Sequence, residues 1–316
     1  MIQLKPPILT ITGPTASGKS TLAEELARRF PIEIISVDSA VVYRGMDIGT
    51  AKPTQEIRRE IPHHLIDIRD PATAYSAADF REDAINVVEQ VLSRGRIPCL
   101  TGGTMLYLKA LKHGIVHLPS ADPVVRQEIS ERAERDGWPG IHAELELVDP
   151  EAAARIGPND PQRLQRALEV YVLTGRALSD HHKKGNPDCP FDLVEVAILP
   201  ERQLLHQRIA GRFQEMLHRG LVHEVGKLLE REDIDSELPS MKSVGYRQVA
   251  HYLAGHYDHE EMEDRAIAAT RRLAKHQYTW LNSWQNLYRL SEPDTEKVLK
   301  IEPVISILER GGESTG

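Results

Sequence analysis

Residues 13–20 read GPTASGKS, and this stretch decides the fold. A β-branched apolar run, ILTITG, leads into it, and STLAEELARRF, whose apolar residues recur at helical spacing, follows it. Glycines allow backbone N–H groups to point at phosphate oxygens, Lys19 adds a cation, and the Ser20 hydroxyl can reach Mg²⁺. A chance match is the alternative, but the strand before the loop and the helix after it favour a phosphate site.

Short apolar runs alternate with helical patterns in the first part of the chain. The runs are EIISVDS, IPHHLIDI and RIPCLTGGT, and a helix capped by Ser76 and Asp79 lies between the last two. This alternation predicts a P-loop NTPase-like α/β core, in which helices flank a parallel sheet and ligands bind at the carboxyl ends of the strands. Gly13, Asp38 and Gly102 lie at such ends.

The composition changes near Pro119. Beyond it strand signals vanish, and helical patterns begin with Asp122 as an N-cap. The run FDLVEVAILP is a strand again, and helices dominate from there to the end. We therefore predict a core interrupted by a helical insertion, with the insertion at residues 121–189 and the core at residues 1–120 and 190–316.

Composition limits the class of protein. The chain has 316 residues, of which 41% are hydrophobic and 27% charged, as in globular proteins. No apolar run is long enough for a membrane span and no signal peptide precedes the first strand, so we expect a cytoplasmic protein without a membrane partner. Cys99 and Cys189 stand alone, which predicts neither a disulfide nor a zinc site, and Cys99 is expected in a buried strand.

Charge is unevenly distributed. The formal charge of −8 argues against non-specific coating of nucleic acid, because such binding neutralises many phosphates. Residues 265–290 nevertheless contain five Lys or Arg and no Asp or Glu. A solvated helix face is the commoner meaning of this pattern, and contact with a phosphate backbone is the alternative. The aromatic residues Trp280, Trp284 and Tyr288 follow at helical spacing and are interpreted as core packing before base stacking.

A second carboxylate is missing where many P-loop enzymes have one. A P-loop kinase usually supports its metal with an aspartate at the end of a second strand, whereas RIPCLTGGT ends in glycines and threonines. Asp38, in VDS, is the carboxylate at a strand end beside the loop. It could bind a metal through water or accept a proton from a nucleophile, and the sequence pattern leaves both open.

Seven segments occur in an order that resembles the bacterial tRNA dimethylallyltransferases. They lie within residues 8–285 and are GPTASGKS, ISVDSAVVYRGMDIGTAKP, PHHLID, YSAADFREDA, GGTMLY, NDPQRLQRALEVY and MKSVGYRQV. The phosphate loop is widely shared, but the combination is specific. The resemblance implies transfer of a dimethylallyl group from dimethylallyl diphosphate to N6 of the adenosine 3′ of a tRNA anticodon, at position 37. Diphosphate would then be the leaving group.

The resemblance also implies roles for individual residues. Asp38 corresponds to the general base that takes a proton from N6, Thr104 to a donor for the bridging oxygen, and Arg212 to a diphosphate contact. Arg208, one turn earlier, competes with Arg212. A turn-capping Asp38 and surface arginines are the alternatives. The diphosphate loop comprises Gly13, Pro14, Thr15, Ala16, Ser17, Gly18, Lys19 and Ser20, and Mg²⁺ is expected on Ser20.

The predicted RNA partner is the anticodon stem-loop of tRNA, and the helical insertion is expected to contribute to its binding. Because the reacting amine lies in a folded loop, the adenosine must leave its stack. Two positions depart from the family: Val41 replaces a frequent Gln, and His276 replaces a frequent Arg, which weakens a basic contact. The implied contacts are Asp38, Ser39, Ala40, Val41, Arg126, Gln162, Arg163, Leu164, Gln165, Arg166, Lys242, Ser243, Val244, Gly245, Tyr246 and Arg247.

Two other hypotheses stay open at this point. A small-molecule P-loop kinase would hold ATP in the same loop and align an acceptor hydroxyl with Asp38. A non-catalytic RNA-binding regulator with a decayed loop is disfavoured because Lys19 and Ser20 are intact. The leading hypothesis is a tRNA prenyltransferase that uses Mg²⁺, binds tRNA and dimethylallyl diphosphate, and is expected to act as a monomer.

Overall fold

Two compact units divide the chain. The computed structural model describes the backbone of residues 5–116, 118–183 and 188–313. The first unit comprises Met1–Lys112 and Cys189–Gly316, and the second comprises His113–Asp188. Within the described ranges, no helix combines the length and the apolar character that crossing a membrane requires.

A six-stranded sheet forms the centre of the first unit, and its pairings are parallel. The strands are β1 (Pro7–Thr12), β2 (Ile32–Val37), β3 (His63–His64), β4 (Ile97–Gly102), β5 (Asp192–Ile198) and β6 (Leu287–Leu290). Their spatial order is β3-β2-β4-β1-β5-β6. The predicted α/β fold is confirmed. Two details are corrected, because β3 has only two residues and the C-terminal region, expected to be helical, contributes β6.

Helices complete the unit. They are α1 (Lys19–Arg29), α2 (Gln55–Glu60), α3 (Ala77–Ser93), α4 (Met105–His113), α9 (Arg202–His218), α10 (Leu221–Leu229), α11 (Tyr246–Leu253), α12 (His259–Ser283), α13 (Thr295–Val298) and α14 (Glu302–Glu313). The predicted cap of α3 is confirmed, since the Ser76 hydroxyl accepts the Asp79 N–H and the Asp79 carboxylate accepts the Ser76 N–H.

Burial explains why most residues of the central strands are apolar. Leu9, Ile11 and Cys99 are fully buried between layers of helices, as strands of a parallel sheet with both faces covered must be. Three adjacent central strands, β2, β4 and β1, bring their carboxyl ends to one edge. Asp38 follows β2, Gly102 ends β4, and Gly13 follows β1, so the prediction that these residues lie at strand ends is confirmed.

The second unit is helical. Its helices are α5 (Pro123–Val148), α6 (Pro150–Ala153), α7 (Pro161–Thr174) and α8 (Leu178–Lys183). The Asp122 side chain caps α5 as predicted, and Gly137, with φ +72, interrupts this helix. Apolar residues of α5, α6 and α7 form a core of their own, in which Ile129, Leu145 and Leu164 are fully buried.

Candidate active site

A cavity of about 1000 Å³ lies at the carboxyl edge of the sheet in the first unit. Residues 15–20 of the phosphate loop line it, though Gly13 and Pro14 do not. Asp38 after β2 and Thr104 after β4 also line it, and Arg212 reaches it from α9. The three residues predicted to be catalytic therefore line one cavity. This is the edge at which open α/β sheets bind their ligands.

The phosphate loop turns from β1 into α1, and its Thr15 and Ser17 N–H groups donate to Gln277 Oε1 and to the Pro14 carbonyl. Gly18 has φ +91, and a Cβ there would lie 2.8 Å from Pro293 Cγ, so both conformation and space require glycine. In the described part of the chain, no hydrogen bond engages the backbone N–H groups of Ala16, Gly18, Lys19 and Ser20. These donors at the start of a helix can bind an anion.

Lys19 and Arg212 line this cavity, and neither has a carboxylate partner among the described residues. Lys19 donates a hydrogen bond to the Pro14 carbonyl at 3.2 Å, whereas Arg212 forms no hydrogen bond or salt bridge with any described residue. Burial, with a smaller contribution from the Arg212 charge, lowers the pKa of Lys19 to about 8, and Asp38 partly opposes both effects. Burial also lowers the pKa of Arg212. A bound anion would offset both the desolvation of these two buried cations and their mutual repulsion.

Asp38 uses its two carboxylate oxygens differently. Oδ1 accepts the Ala40 N–H at 2.8 Å and the Val41 N–H at 3.3 Å, which confirms the turn-capping alternative for this oxygen. Oδ2 receives no hydrogen bond from the described residues. An ionised carboxylate has further lone pairs, so Oδ2 can accept a proton while Oδ1 holds the turn.

Two hydrogen bonds, one from its backbone and one to its hydroxyl, hold Thr104 in place. Its backbone N–H donates to the Val37 carbonyl at 3.2 Å, and its Oγ1 accepts the Ser39 N–H at 3.1 Å. Because Oγ1 is the acceptor in that bond, the hydroxyl proton is free to be donated to a ligand.

Arg208 and Arg212 both line the cavity, but only one is engaged with the protein. Nη1 of Arg208 lies 3.5 Å from the Ser17 carbonyl oxygen, at the limit of a hydrogen bond. Arg212 has no such contact among the described residues. The Ser17 hydroxyl is buried, and it has no hydrogen-bond partner among the described residues. Of the two arginines, Arg212 is therefore the better candidate for binding an anion.

Ser20 and Asp38 supply oxygen ligands to the same cavity. Mg²⁺ prefers such oxygens and usually keeps several waters while it binds substrate phosphates. Among the described residues, no group of three or more His, Cys, Asp or Glu side chains could hold a metal. The donors present fit Mg²⁺ that binds together with a diphosphate, and they do not fit a metal enclosed by protein ligands.

The segment 242–247 contributes both surface and core. Lys242 and Arg247 are exposed, and Lys242 also lines the cavity. Tyr246 is fully buried, and its hydroxyl donates to Glu224 Oε1 at 2.5 Å. Contact with RNA at Tyr246 is therefore limited to backbone atoms. The same holds for Val41, which is 7% exposed, whereas Ser39 is exposed.

The first turn of α7 presents two predicted tRNA contacts to solvent. Gln162 and Arg163 are exposed, and Arg163 pairs with Asp160, the N-cap of this helix, at 2.8 Å. Leu164 is fully buried in the core of the second unit. Only its backbone is available for an RNA contact.

Arg126 and Arg166 are occupied within the second unit. Both bind the fully buried carboxylate of Glu169, at 2.8 Å and 2.5 Å. Burial opposes ionisation of Glu169, but hydrogen bonds from the two arginines lower its pKa overall. The Gln165 amide donates to the Arg126 carbonyl at 3.1 Å. The geometry gives these three residues a role in the unit's own stability, because removing one cation would leave a buried carboxylate partly unpaired.

Glu224 holds a loop of the site and was missed by sequence reasoning. Its carboxylate accepts the N–H groups of Asp47, Ile48 and Gly49 at 2.8–3.1 Å, in addition to the Tyr246 hydroxyl. Gly49 lines the cavity. A single glutamate on α10 therefore joins the loop after Asp38 to the segment 242–247. A Glu in a helix is common, and no local pattern could have revealed this role.

Gln277 on α12 also went unnoticed in the sequence. It is 8% exposed, lines the cavity and bonds to the phosphate loop and to the turn after β4. Core packing, expected for the neighbouring aromatic residues, is wrong for two of them: Trp280 is 36% and Tyr288 40% exposed. The Lys109 ammonium lies 5.6 Å from the Trp280 ring centroid, within cation–π range.

The chain has relatives of known family. The family model described as IPP transferase matches residues 41–284. A curated protein of Thioalkalivibrio sulfidiphilus, named tRNA dimethylallyltransferase, is 53% identical over 317 aligned residues, which cover 99% of this chain and 98% of the relative.

Solved structures show the same similarity. A tRNA isopentenylpyrophosphate transferase of Bacillus halodurans is 36% identical with a TM-score of 0.69, and the match covers 98% of this chain and 99% of that one. The Staphylococcus epidermidis tRNA isopentenylpyrophosphate transferase is 32% identical with a TM-score of 0.66, covering 98% and 100%. A eukaryotic dimethylallyltransferase acting on tRNA is 28% identical with a TM-score of 0.76, covering 94% and 76%.

Proposed function

Since the chain belongs to the IPP transferase family and its reaction is dimethylallyl transfer to tRNA, we propose that the acceptor is N6 of the adenosine at position 37. The donor in this proposal is dimethylallyl diphosphate, and diphosphate is released. The alternative of a small-molecule kinase has no support among the relatives.

One observation carries the proposal: among the described residues, Lys19 and Arg212 have no carboxylate partner and Asp38 Oδ2 has no hydrogen bond, and all three line the same cavity. Lys19 and Arg212 are suited to a multiply charged anion, and Asp38 is suited to a proton on the acceptor. A kinase would need the same phosphate loop, but the loop after β4 supplies Thr104 where a kinase usually has a carboxylate for its metal.

The donor end of the reaction uses the phosphate loop. Its free N–H groups, Lys19 and Arg212 bind the diphosphate and stabilise the negative charge that develops as the bond from carbon to oxygen breaks. The Thr104 hydroxyl donates its free proton in a hydrogen bond to the bridging oxygen, where that charge first appears. The diphosphate leaves with the electron pair of the broken bond.

The acceptor end uses Asp38. The N6 amine supplies the electron pair for the new bond to the allylic carbon, and its surplus proton passes to Asp38 Oδ2. An exocyclic amine on adenine is a weak nucleophile, so a positioned base accelerates this step by about 10²–10⁴-fold. Ser20 would hold Mg²⁺ beside the loop, where the ion supplies further positive charge to the departing diphosphate.

The RNA surface in this proposal is formed by exposed basic side chains. Arg271, Arg272 and Lys275 lie on α12, which also lines the cavity with His276 and Trp280. Arginine and lysine neutralise phosphates of the anticodon stem-loop, while the target base leaves its stack and enters the cavity. The exposed residues Gln162 and Arg163 make the second unit a further candidate for tRNA binding.

The test compares two labelled donors. Purified protein is incubated with unmodified tRNA, Mg²⁺ and either ATP or dimethylallyl diphosphate, and label on RNA is measured together with an RNA digest that locates the modified nucleoside. Dimethylallyl label on N6 of the adenosine at position 37 supports the proposal. Rapid use of ATP with no prenylated RNA would refute it.

The matched variant is Asp38→Asn. Asparagine keeps an oxygen for the Ala40 and Val41 N–H groups, so the turn survives, but its amide cannot accept a proton. We expect turnover to fall by about 10²–10⁴-fold while tRNA affinity stays within about threefold. Turnover equal to that of the unaltered protein would remove Asp38 from the mechanism.

A further inference from the structure

Gln277 joins two loops of the cavity with one side chain. Its Oε1 accepts the Thr15 N–H at 2.9 Å, and its Nε2 donates to the Gly103 carbonyl at 2.8 Å. Thr15 belongs to the phosphate loop after β1, and Gly103 follows β4, the neighbouring strand. The contact therefore fixes the ends of two adjacent strands against α12.

Only a primary amide of this length meets both requirements. A glutamine amide offers an acceptor and a donor side by side, whereas glutamate lacks the donor and methionine lacks both. The approach is close: a Cβ on Gly103 would lie 2.6 Å from Gln277 Nε2 and 3.5 Å from Lys19 Nζ. A side chain at position 103 would push the amide away, so the glycine and the glutamine depend on each other.

The two joined loops carry the groups that act on the donor. The phosphate loop continues to Lys19, and Gly103 directly precedes Thr104, whose hydroxyl proton is free. A diphosphate held by the loop reaches the Thr104 hydroxyl with its bridging oxygen only if the two loops keep their spacing. A misplacement of about 1 Å at a reacting centre can lower a rate by about 100-fold.

Resting on the proposed function, we propose that Gln277 is a positioning residue, which sets the phosphate loop relative to Thr104 so that the bridging oxygen of the diphosphate meets the threonine hydroxyl. Gln277 acts through Thr15 and Gly103, and the transfer needs no bond between its amide and the substrate. Loss of Gln277 therefore lowers kcat and leaves the binding of the diphosphate group largely intact, because the loop itself remains.

The test is Gln277→Met, an apolar side chain of similar length, with Gln90→Met at an exposed position of α3 as the matched control. Prenyl transfer is measured at saturating tRNA, binding of inorganic diphosphate with Mg²⁺ by calorimetry, and thermal unfolding by circular dichroism. For Gln277→Met we expect kcat to fall about 10- to 100-fold and the Kd for diphosphate to change by less than about threefold. Gln90→Met should match the unaltered protein.

Two results would overturn the inference: transfer by Gln277→Met within about threefold of the control, or a loss of diphosphate affinity as large as the loss of kcat. If Gln277→Met unfolds at the assay temperature, Gln277→Asn decides by the same criteria, since it keeps the amide but is one methylene too short to reach both loops. A control that forms no prenylated tRNA would refute the proposed function itself, whereas an active control beside an unimpaired Gln277 variant refutes this inference alone.

Discussion

The affinity for inorganic diphosphate should fall as the pH rises from 7 to 9, and Lys19 is the reason. Burial and Arg212 lower the pKa of Lys19 to about 8 in the empty protein. A bound diphosphate stabilises the ammonium and raises this pKa again. Binding therefore takes up a proton at any pH at which the empty protein has lost it, and affinity is highest below pH 8.

The magnitude follows from that pKa. If only the protein with charged Lys19 binds diphosphate, the Kd is multiplied by one plus the ratio of neutral to charged Lys19. With a pKa of about 8, this ratio is about 0.1 at pH 7 and about 10 at pH 9. The Kd should thus rise about tenfold over this range. Proton uptake on binding should rise from about 0.1 to about 0.9 per site.

Calorimetry in buffers of different ionisation enthalpy measures both quantities, at fixed Mg²⁺ and ionic strength. Inorganic diphosphate itself titrates in this range, so the reference is Lys19→Arg, whose guanidinium stays charged at pH 9. The ratio of the two Kd values then isolates Lys19. A ratio that is constant from pH 7 to pH 9, with equal proton uptake by both proteins, would show that Lys19 is charged throughout and refute the reasoning.

Substitutions at Thr104 and at Glu224 test a role in catalysis and a role in stability, respectively. Thr104→Val removes the hydroxyl that donates to the bridging oxygen in the proposed reaction, and it should lower the rate about 10²–10³-fold in a single-turnover assay. Thr104→Ser should recover that rate, and its failure to do so would contradict the role of the hydroxyl. Glu224→Ala leaves the N–H groups of residues 47–49 without their acceptor and should lower the free energy of unfolding in urea by about 1–3 kcal/mol. Tyr246→Phe, which removes only the hydrogen bond from the Tyr246 hydroxyl to Glu224, should cost less. An unchanged unfolding curve for Glu224→Ala would refute the role of Glu224 in holding residues 47–49.

Local signals in the sequence were reliable where the structure depends on neighbours along the chain. The helix after the phosphate loop, the cap formed by Ser76 and Asp79, and the cap at Asp122 occur as predicted. Each is decided by residues within about four positions, because a capping hydrogen bond or a positive φ is a property of one turn.

Predictions failed where a pattern continued past the end of an element. Trp280, Trp284 and Tyr288 recur every four residues, which suggested one buried helix face. The helix α12 ends at Ser283, however, and Tyr288 lies in β6. The strand β6 exists because its backbone pairs with β5, and a four-residue edge strand gives no distinctive periodicity.

The sequence alone determined that a phosphate-binding loop and a carboxylate lie at the carboxyl ends of two strands of a parallel sheet, since strand polarity carries both to one edge. Only the tertiary structure decided which polar residues complete the site. Gln277 lies 262 positions from Thr15 and 174 from Gly103, and Glu224 lies 175–177 from the loop it holds. A hydrogen bond depends on distance and direction in space, and over such separations along the chain both are set by the packing of helices on the sheet.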